Sequence, residues 1–237
     1  MLLPDNEVHV WTARMDVRSE VRAALRVTLD CDENERAERF AFARDRDRFI
    51  VRRGVLRQIL AAYLGAEPGH LRFSHGKYGK PALDGVAMSD PLRFNVSRSR
   101  DLAVVAVARS RELGVDVEYL DADRADEQVA QRYFARRELV DLNALSGRAW
   151  LRGFFDCWTR KEAYLKARGE GLSFPLDAFE VSLSPGDPPA LVRSRAGPAE
   201  ADRWTMRTLD YGDDWAACLI AEGHSWSHVS RQWNLAD

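Results

Sequence analysis

Two acidic residues stand two positions apart in the pentapeptide Gly114-Val115-Asp116-Val117-Glu118. On a β-strand, positions i and i+2 point to the same face, roughly 7 Å apart, so Asp116 and Glu118 project together while the valines point to the core. Two carboxylates that converge at a strand end suit a hard divalent cation that also contacts phosphate oxygens. A solvent-facing strand with two ordinary acids shows the same pattern, and the pentapeptide alone leaves both interpretations open.

A second group of candidate residues lies in the segment 158–167, whose sequence is Trp-Thr-Arg-Lys-Glu-Ala-Tyr-Leu-Lys-Ala. On a helix, Trp158, Glu162 and Lys166 lie on one stripe at i, i+4 and i+8. Glu162 could complete a metal site with the two strand carboxylates or take a proton from a nucleophile. Lys166 could neutralise a transferring phosphate. The alternative is a surface helix with an ordinary Glu–Lys pair beside a core tryptophan.

Two further segments carry groups that suit phosphate. Glycine and proline around the lysine of Gly79-Lys80-Pro81 predict a stiff turn that presents backbone groups to a base and an ammonium to a phosphate. Ser97, Arg98 and Ser99 supply hydroxyl and guanidinium donors for phosphate oxygens. Two loops with turn residues and a stray basic side chain are the alternative.

Composition narrows the functional classes. The chain has 237 residues and a formal net charge of only −2, which disfavours a general nucleic-acid binder because such proteins are usually strongly basic. Eight arginines nevertheless fall between Arg36 and Arg57, counting both ends. They form a candidate site for a polyanionic ligand.

The cysteines and the hydropathy of the sequence indicate the cellular compartment of the protein. Cys31, Cys157 and Cys218 are an odd number without metal-like spacing, which argues against a disulfide framework or a zinc site and favours a reducing compartment. No apolar run approaches the roughly 20 residues of a membrane span, and residues 1–6 lack the start of a signal peptide. We therefore expect a cytoplasmic protein with no membrane partner.

Hydrophobic periodicity indicates an α+β fold in which two similar subdomains follow one another. The first is predicted to contain a strand at 8–13, a helical region at about 32–64 and strands at 71–74, 93–96 and 102–108. The second repeats that order, with a strand at 115–118, helices at about 126–145 and 149–168, and strands at 179–183, 204–209 and 215–221. Residues 184–199, rich in proline, glycine and serine, are predicted to be a loop. The boundary near residue 112 gives subdomains 1–112 and 113–237, packed as a pseudo-two-fold pair.

Taken in this order, the motifs resemble the 4′-phosphopantetheinyl transferase superfamily, in its larger form with two fused, similar halves. The resemblance runs from about residue 32 to residue 181 and includes Arg39-Phe40, Tyr78-Gly79-Lys80-Pro81, the 94–99 segment and the 114–118 strand. It is longest over residues 154–181. The strand Gly-[Ile/Val]-Asp-[Ile/Val]-Glu, followed about forty residues later by Trp-x-x-Lys-Glu-x-x-x-Lys-Ala, is specific for the family.

This resemblance implies an enzyme that moves the 4′-phosphopantetheine arm of coenzyme A to a serine of an apo carrier protein, leaving adenosine 3′,5′-bisphosphate. It implies Mg²⁺ bound by Asp116, Glu118 and Glu162, with Glu162 as the candidate base and Lys166 stabilising the leaving pyrophosphate. Coenzyme A is then expected to contact Arg36, Arg48, Tyr78, Gly79, Lys80, Pro81, Ser97, Arg98, Asp116, Lys161 and Lys166. Within that set, Arg36 and Arg48 would take the 3′-phosphate, residues 78–83 the adenine end, and Ser97 and Arg98 the phosphates.

The chain departs from the family pattern at two positions. Arg98 stands where the family commonly has histidine, and arginine keeps a phosphate donor that stays charged at every working pH. Glu33 stands where a lysine is sometimes found, which makes the lining of the 3′-phosphate pocket less basic. We expect coenzyme A binding to survive with less pH dependence.

The expected partner is an acyl, peptidyl or aryl carrier protein that meets a monomeric enzyme at residues 119–134, close to Arg132, Arg136 and Arg137. Secondary-metabolite carriers are the expected substrates, although the residues do not distinguish fatty-acid, polyketide, peptide and aminoadipate carriers. Two other functions use the same residues. One is a metal-dependent phosphohydrolase acting on coenzyme A or a nucleotide, and the other is an inactive carrier-binding module.

Overall fold

The computed structural model describes residues 1–85, 91–184 and 186–234. The first half contains β1 (Glu7–Arg14), α1 (Ser19–Arg26), α2 (Cys31–Glu38), α3 (Ala43–Leu64), β2 (Phe73–His75), β3 (Pro81–Leu83), β4 (Leu92–Ser99) and β5 (Leu102–Arg109). The second half contains β6 (Leu113–Tyr119), α4 (Glu127–Tyr133), α5 (Arg136–Asn143), α6 (Gly147–Arg168), β7 (Phe179–Val181), β8 (Leu191–Ser194), α7 (Glu200–Arg203), β9 (Trp204–Thr208), β10 (Trp215–Glu222) and β11 (Ser227–Gln232). Residues 86–90 of the predicted first subdomain, Pro185 of the predicted loop and residues 235–237 of the predicted second subdomain lie outside the described residues.

Each half places one long helix on a sheet. Helix α3 packs on a four-stranded sheet of order β11-β1-β5-β4, and α6 packs on an antiparallel three-stranded sheet of order β6-β10-β9. Both helices have 22 residues and end at a glycine in the left-handed region, Gly65 (φ 62°) and Gly169 (φ 69°). A glycine at that position ends a helix without steric cost. The repeated arrangement confirms the predicted α+β fold with two similar halves.

The two sheets share a hydrophobic layer. Alternate residues of β5 face opposite ways: Val105 and Val107 pack with α3, whereas Val104 and Ala106 pack with the second sheet. Burial on both faces explains why β5 is an almost unbroken apolar run. Val115 and Val117 of β6 belong to the same layer between the sheets, so the opposite-facing Asp116 is turned toward α6 and the cleft.

Gly114 allows β6 to lie directly against α6. A Cβ atom at this position would overlap the carbonyl oxygen of Ala163 and lie 2.6 Å from the amide nitrogen of Ala167. Two backbones can approach this closely only where the side chains at the contact are very small. The glycine of the strand motif therefore sets the distance between the strand that carries Asp116 and the helix that carries Lys166.

The structure corrects several predicted elements. The helical region at 32–64 is two helices, because α2 ends at Glu38 and Phe42 is extended (φ −109°, ψ 132°) before α3 begins. The helix at 126–145 is likewise interrupted by extended backbone at Phe134 and Ala135. Helix α1 and strand β11 were not predicted, and β8 lies within the predicted loop.

Strand β11 changes how the halves are divided. It pairs in parallel with β1, with Glu7 opposite Ser227 and Thr12 opposite Gln232. A division at residue 112 therefore leaves one strand of the first sheet in the second segment. None of the described helices combines the length and the apolar character that crossing a membrane requires.

Candidate active site

A cleft of about 830 Å³ lies where the two halves meet. The first half lines it with arginines and with Asp30, Asp32 and Glu33. The second half lines it with three carboxylates and with Arg124 and Lys166. Its charged lining includes Arg36, Arg52, Arg53, Arg98, Arg124, Asp116, Glu118, Glu162 and Lys166. The cleft therefore brings together most of the charged residues that the sequence singled out, on elements far apart along the chain.

Asp116 is the centre of the acidic part of the cleft and is only 3% exposed. One carboxylate oxygen, Oδ1, accepts hydrogen bonds from the Ser97 hydroxyl and the Lys166 ammonium, each at 2.7 Å. The other oxygen, Oδ2, is buried without a hydrogen-bond partner among the described residues. Because buried carboxylate oxygens are normally satisfied, this lone acceptor marks a place for a positively charged or donor group.

Glu118 and Glu162 are held next to Asp116 in surroundings that disfavour negative charge. Burial raises the pKa of the Glu118 carboxyl, and Asp116 adds to the rise, while the hydrogen bond from Ser99 opposes it. Burial also raises the pKa of the Glu162 carboxyl, with a further contribution from Asp116 that Lys166 partly offsets. Three carboxylates thus face the Lys166 ammonium, with the Arg124 guanidinium 4.0 Å from Glu118, and a cation would relieve the remaining excess of negative charge.

The three carboxylates do not converge as a preassembled metal cluster. Across the described part of the chain, no group of three His, Cys, Asp or Glu side chains is arranged to hold an ion. Glu118 is turned toward the Ser99 hydroxyl at 2.7 Å, and Asp116 toward Lys166. The charge and the hard oxygen donors nevertheless suit Mg²⁺, and Glu118 uses only one of its two carboxylate oxygens, Oε2, for the Ser99 contact.

Lys166 pairs with Asp116 across the contact between β6 and α6, and its ammonium also lies 3.0 Å from the Ser97 hydroxyl. Both Glu162 and Lys166 border the cleft. Helix α6 is therefore not a solvated surface helix that carries an isolated Glu–Lys pair.

The basic part of the cleft is a group of guanidinium groups around Phe49. Arg36 and Arg52 stand over the Phe49 ring, 5.4 and 5.5 Å from its centroid. Burial, and behind it the positive charges of Arg98, Arg53 and Arg36, lowers the pKa of Arg52 to about 10. Arg53 pairs with Glu33, whereas Arg36, Arg52 and Arg98 crowd together. An anion placed among these three would relieve their mutual repulsion.

Two basic residues expected to contact coenzyme A lie elsewhere. Arg48 binds Asp16 through three hydrogen bonds of 3.1–3.2 Å and does not line the cleft. Lys161 is fully buried, 2.7 Å from Glu138, and donates to two backbone carbonyl oxygens. The expectations for both residues are therefore corrected: Arg48 joins α3 to the segment after β1, and Lys161 lies inside the second half.

The turn that contains Gly79-Lys80-Pro81 sits at the edge of the cleft. Pro81 lines the cleft, Gly79 has a left-handed backbone (φ 86°), and Tyr78 is 46% exposed. The Lys80 ammonium turns away, 2.8 Å from Glu112 and 2.9 Å from the Ala167 carbonyl oxygen at the end of α6. Its side chain is thus a cap on α6 and is not positioned to bind phosphate.

Ser97 also differs from the expectation. A hydroxyl has one donor and two lone pairs. The Ser97 hydroxyl donates to Asp116 and accepts from the Val117 amide and the Lys166 ammonium, so all three are used. Its side chain has no donor left for a phosphate.

Sequence reasoning missed Arg52, Arg124 and Glu138, and it expected the Ser99 hydroxyl to suit phosphate oxygens. Arg52 was hidden in a run of arginines, and the signal that could have selected it is the i,i+3 spacing from Phe49, which faces the cleft. The i,i+2 spacing of Ser99 from Ser97 places both hydroxyls on one face of a strand, and the Ser99 hydroxyl donates to Glu118 at 2.7 Å. Nothing in the local sequence marks Arg124 or Glu138.

Two family models match this chain. Residues 112–220 match the 4′-phosphopantetheinyl transferase superfamily, and residues 11–110 match the 4′-phosphopantetheinyl transferase N-terminal family. With these matches and the relatives below, the chain belongs to the 4′-phosphopantetheinyl transferase superfamily.

Two relatives in sequence agree with this class. The chain is 38% identical over 226 residues to the 4′-phosphopantetheinyl transferase HetI of a Nostoc species, covering 95% of this chain and 92% of that protein. It is 31% identical over 159 residues to a 4′-phosphopantetheinyl transferase of Bacillus subtilis, covering 67% and 68%. A solved holo-(acyl-carrier-protein) synthase from Bacillus anthracis in complex with coenzyme A overlaps 47% of this chain and 94% of that chain, with a TM-score of 0.37 and 19% identity. This enzyme therefore transfers the 4′-phosphopantetheine group of coenzyme A to a carrier-protein serine.

Proposed function

We propose that the transfer takes place in the cleft between the halves, with Mg²⁺ held by Asp116, Glu118 and Glu162. The observation that carries the proposal is the single cleft that joins an arginine group to three carboxylates. The unpartnered Oδ2 of Asp116 and the raised pKa values of both glutamates support a cation there. When bound, Mg²⁺ would supply Lewis-acid neutralisation of the pyrophosphate oxygens.

In the reaction, the carrier serine hydroxyl attacks the β-phosphorus of coenzyme A. A serine oxygen–phosphorus bond forms, the bond from that phosphorus to the bridging oxygen breaks, and adenosine 3′,5′-bisphosphate leaves. Glu162 accepts the hydroxyl proton, a role helped by a pKa that burial moves toward working pH. Lys166, held between Ser97 and Asp116, stabilises the charge on the leaving oxygen.

The arginine group positions coenzyme A, which donates the phosphopantetheine. Arg36, Arg52 and Arg98 take the 3′-phosphate, because their crowded positive charges favour an anion that accepts from all three. The backbone of residues 78–83, with Pro81 at the cleft, holds the adenine end. Binding at both ends leaves little freedom at the β-phosphorus, which raises the rate by positioning.

Carrier docking is proposed at residues 119–134, directly after the strand that carries the carboxylates. Arg124 lines the cleft with a 68% exposed side chain, and Arg132, Arg136 and Arg137 are exposed nearby. Such a basic surface suits an acidic carrier. We further propose a monomer, because both halves of the cleft come from one chain. The free thiols and the coenzyme A substrate favour the cytoplasm.

The test is mass spectrometry of apo-carriers from fatty-acid, polyketide and peptide synthesis after incubation with coenzyme A and Mg²⁺. A gain of one phosphopantetheine on a carrier is expected, and its loss with excess chelator. Coenzyme A cleavage without a carrier would instead indicate a phosphohydrolase. Full activity in chelator would exclude the metal role.

Two variants test the residue roles. Glu162→Gln is expected to lower kcat about 100-fold or more, the usual scale for loss of a general base. Lys166→Ala should also lower kcat, while the exposed Glu20→Gln serves as a matched control with unchanged rate. Near-wild-type kcat in both cleft variants would contradict the assignment.

A further inference from the structure

Strands β4 and β6 are edge strands of different sheets, and they meet without a backbone ladder. In place of a ladder, side-chain oxygens of β4 accept the backbone N–H groups on the free side of β6. The three hydrogen bonds are Val115 N–H to Asn95 Oδ1 at 3.0 Å, Val117 N–H to Ser97 Oγ at 3.3 Å and Tyr119 N–H to Ser99 Oγ at 3.0 Å. Side chains at positions i, i+2 and i+4 of β4 thus accept hydrogen bonds from backbone N–H groups at positions i, i+2 and i+4 of β6.

The two serines in this row make a second contact that the asparagine does not. The Ser97 hydroxyl donates to Asp116 Oδ1 and the Ser99 hydroxyl donates to Glu118 Oε2, each at 2.7 Å. Ser97 and Ser99 are 6% and 5% exposed, so water does not readily replace them. Each hydroxyl accepts a hydrogen bond from a backbone N–H of β6 and donates one to a carboxylate that β6 also carries.

We infer that Ser97 and Ser99 are positioning residues that orient the Asp116 and Glu118 carboxylates, while Asn95 only joins the strands. The test of this inference by Mn²⁺ binding rests on the proposed metal role of these carboxylates, whereas the test by kcat does not. A hydroxyl that accepts from the strand and donates to the strand's own carboxylate limits the rotation of that carboxylate. The hydrogen bond that the hydroxyl donates also stabilises the negative charge of that carboxylate.

Asn95 provides a matched control within the same row. Asn95→Ala and Ser99→Ala each remove one side-chain acceptor for a β6 N–H, but only Ser99→Ala removes a carboxylate contact. Ser99→Thr keeps the hydroxyl. Binding of Mn²⁺ in the presence of coenzyme A, measured by electron paramagnetic resonance, and kcat with a carrier are compared across the four proteins.

Ser99→Ala is expected to lose about 10-fold or more in Mn²⁺ affinity and in kcat, the scale of lost outer-shell contacts, with Ser99→Thr restoring much of both. Asn95→Ala should bind Mn²⁺ like the wild type. Equal losses in Asn95→Ala and Ser99→Ala, or none in Ser99→Ala, would overturn the inference. If the wild type itself binds no Mn²⁺, the proposed metal role fails. In that case the kcat values of the four proteins, including the recovery expected in Ser99→Thr, test the inference by themselves.

Discussion

The ammonium of Lys161 lies 2.7 Å from the carboxylate of Glu138, and the two side chains are 0% and 1% exposed. Lys161 also donates to the carbonyl oxygens of Leu176 and Phe179, and Glu138 accepts from the Val181 amide. The pair therefore joins α6 to α5 and to the segment that leads into β7. A residue adjacent to the proposed base Glu162 thus acts within the core of the second half.

We predict that Lys161→Met lowers the free energy of unfolding by about 3–5 kcal/mol, because it leaves the Glu138 charge buried without its partner. Urea unfolding measures the change. The exposed Lys77→Met should shift the same quantity by less than about 0.5 kcal/mol. Normal stability together with a raised KM for coenzyme A would instead place Lys161 on the substrate.

Gly114→Ala is predicted to destabilise the protein by about 3 kcal/mol or more and to lower kcat in the molecules that fold. The new methyl group would overlap the Ala163 backbone, so α6 must move away from β6 and Lys166 from Asp116. Gly153→Ala is the control, because its methyl group would meet the end of the flexible Leu145 side chain at 2.8 Å. Comparable losses of stability and kcat in the two variants would refute a special role for the contact at Gly114.

Arg52→Gln is predicted to raise the KM for coenzyme A about 10- to 100-fold, which corresponds to the loss of one hydrogen bond to a charged group. The KM for 3′-dephospho-coenzyme A should change little, since that analogue lacks the phosphate proposed for the arginine group. Arg48→Gln, one helical turn away but bound to Asp16, should leave both constants near the wild-type values. Equal effects of Arg52→Gln on both substrates would move Arg52 to the pyrophosphate.

Stability is predicted to decrease as the pH falls below about 6.5, the ordinary pKa of histidine, through the lowered pKa of His9. Burial lowers this pKa and Arg231 adds to the effect, while Glu7 opposes it. The Glu7 carboxylate, 3.0 Å from Nε2, can only accept, so the neutral imidazole carries its proton on Nε2 and the Tyr63 hydroxyl donates to Nδ1 at 2.6 Å. A lowered folded pKa contributes stability above the ordinary value and loses it in acid.

Unfolding free energies at about pH 7.5 and pH 5.5 test this prediction. His9→Gln should reduce the difference between the two pH values, whereas the exposed His70→Gln should not. An unchanged difference in His9→Gln would assign the acid sensitivity to other groups.

The fold class and the acidic part of the site could be predicted because their signals are local. Alternation in β6 separates Asp116 from the buried valines, and the helical stripe joins Glu162 to Lys166. Arg48 and Arg52 lie one turn apart on α3, and spacing alone cannot separate them. Their roles are decided by Asp16, which lies 32 residues before Arg48 and binds it.

Lys161, next to Glu162, is a second residue whose role cannot be predicted from spacing alone. A rotation of about 100° between consecutive helical residues places it in the core and Glu162 at the cleft. The sequence does not reveal Glu138, the charge that makes a buried lysine tolerable. The position of β11 was equally hidden, because its partner strand is more than two hundred residues away.

That pairing has a consequence for how the protein is made. On the ribosome, β1 emerges more than two hundred residues before β11, so one side of it is completed only when residues 227–232 follow. Until then β1 presents an open edge, and its apolar Val8 and Val10 await the layer that includes β10. Such edges recruit other strands, so nascent chains are exposed to aggregation until residues 227–232 have been translated. Ribosome stalling between β10 and β11 would prolong that exposure even though the proposed catalytic residues had already been synthesised.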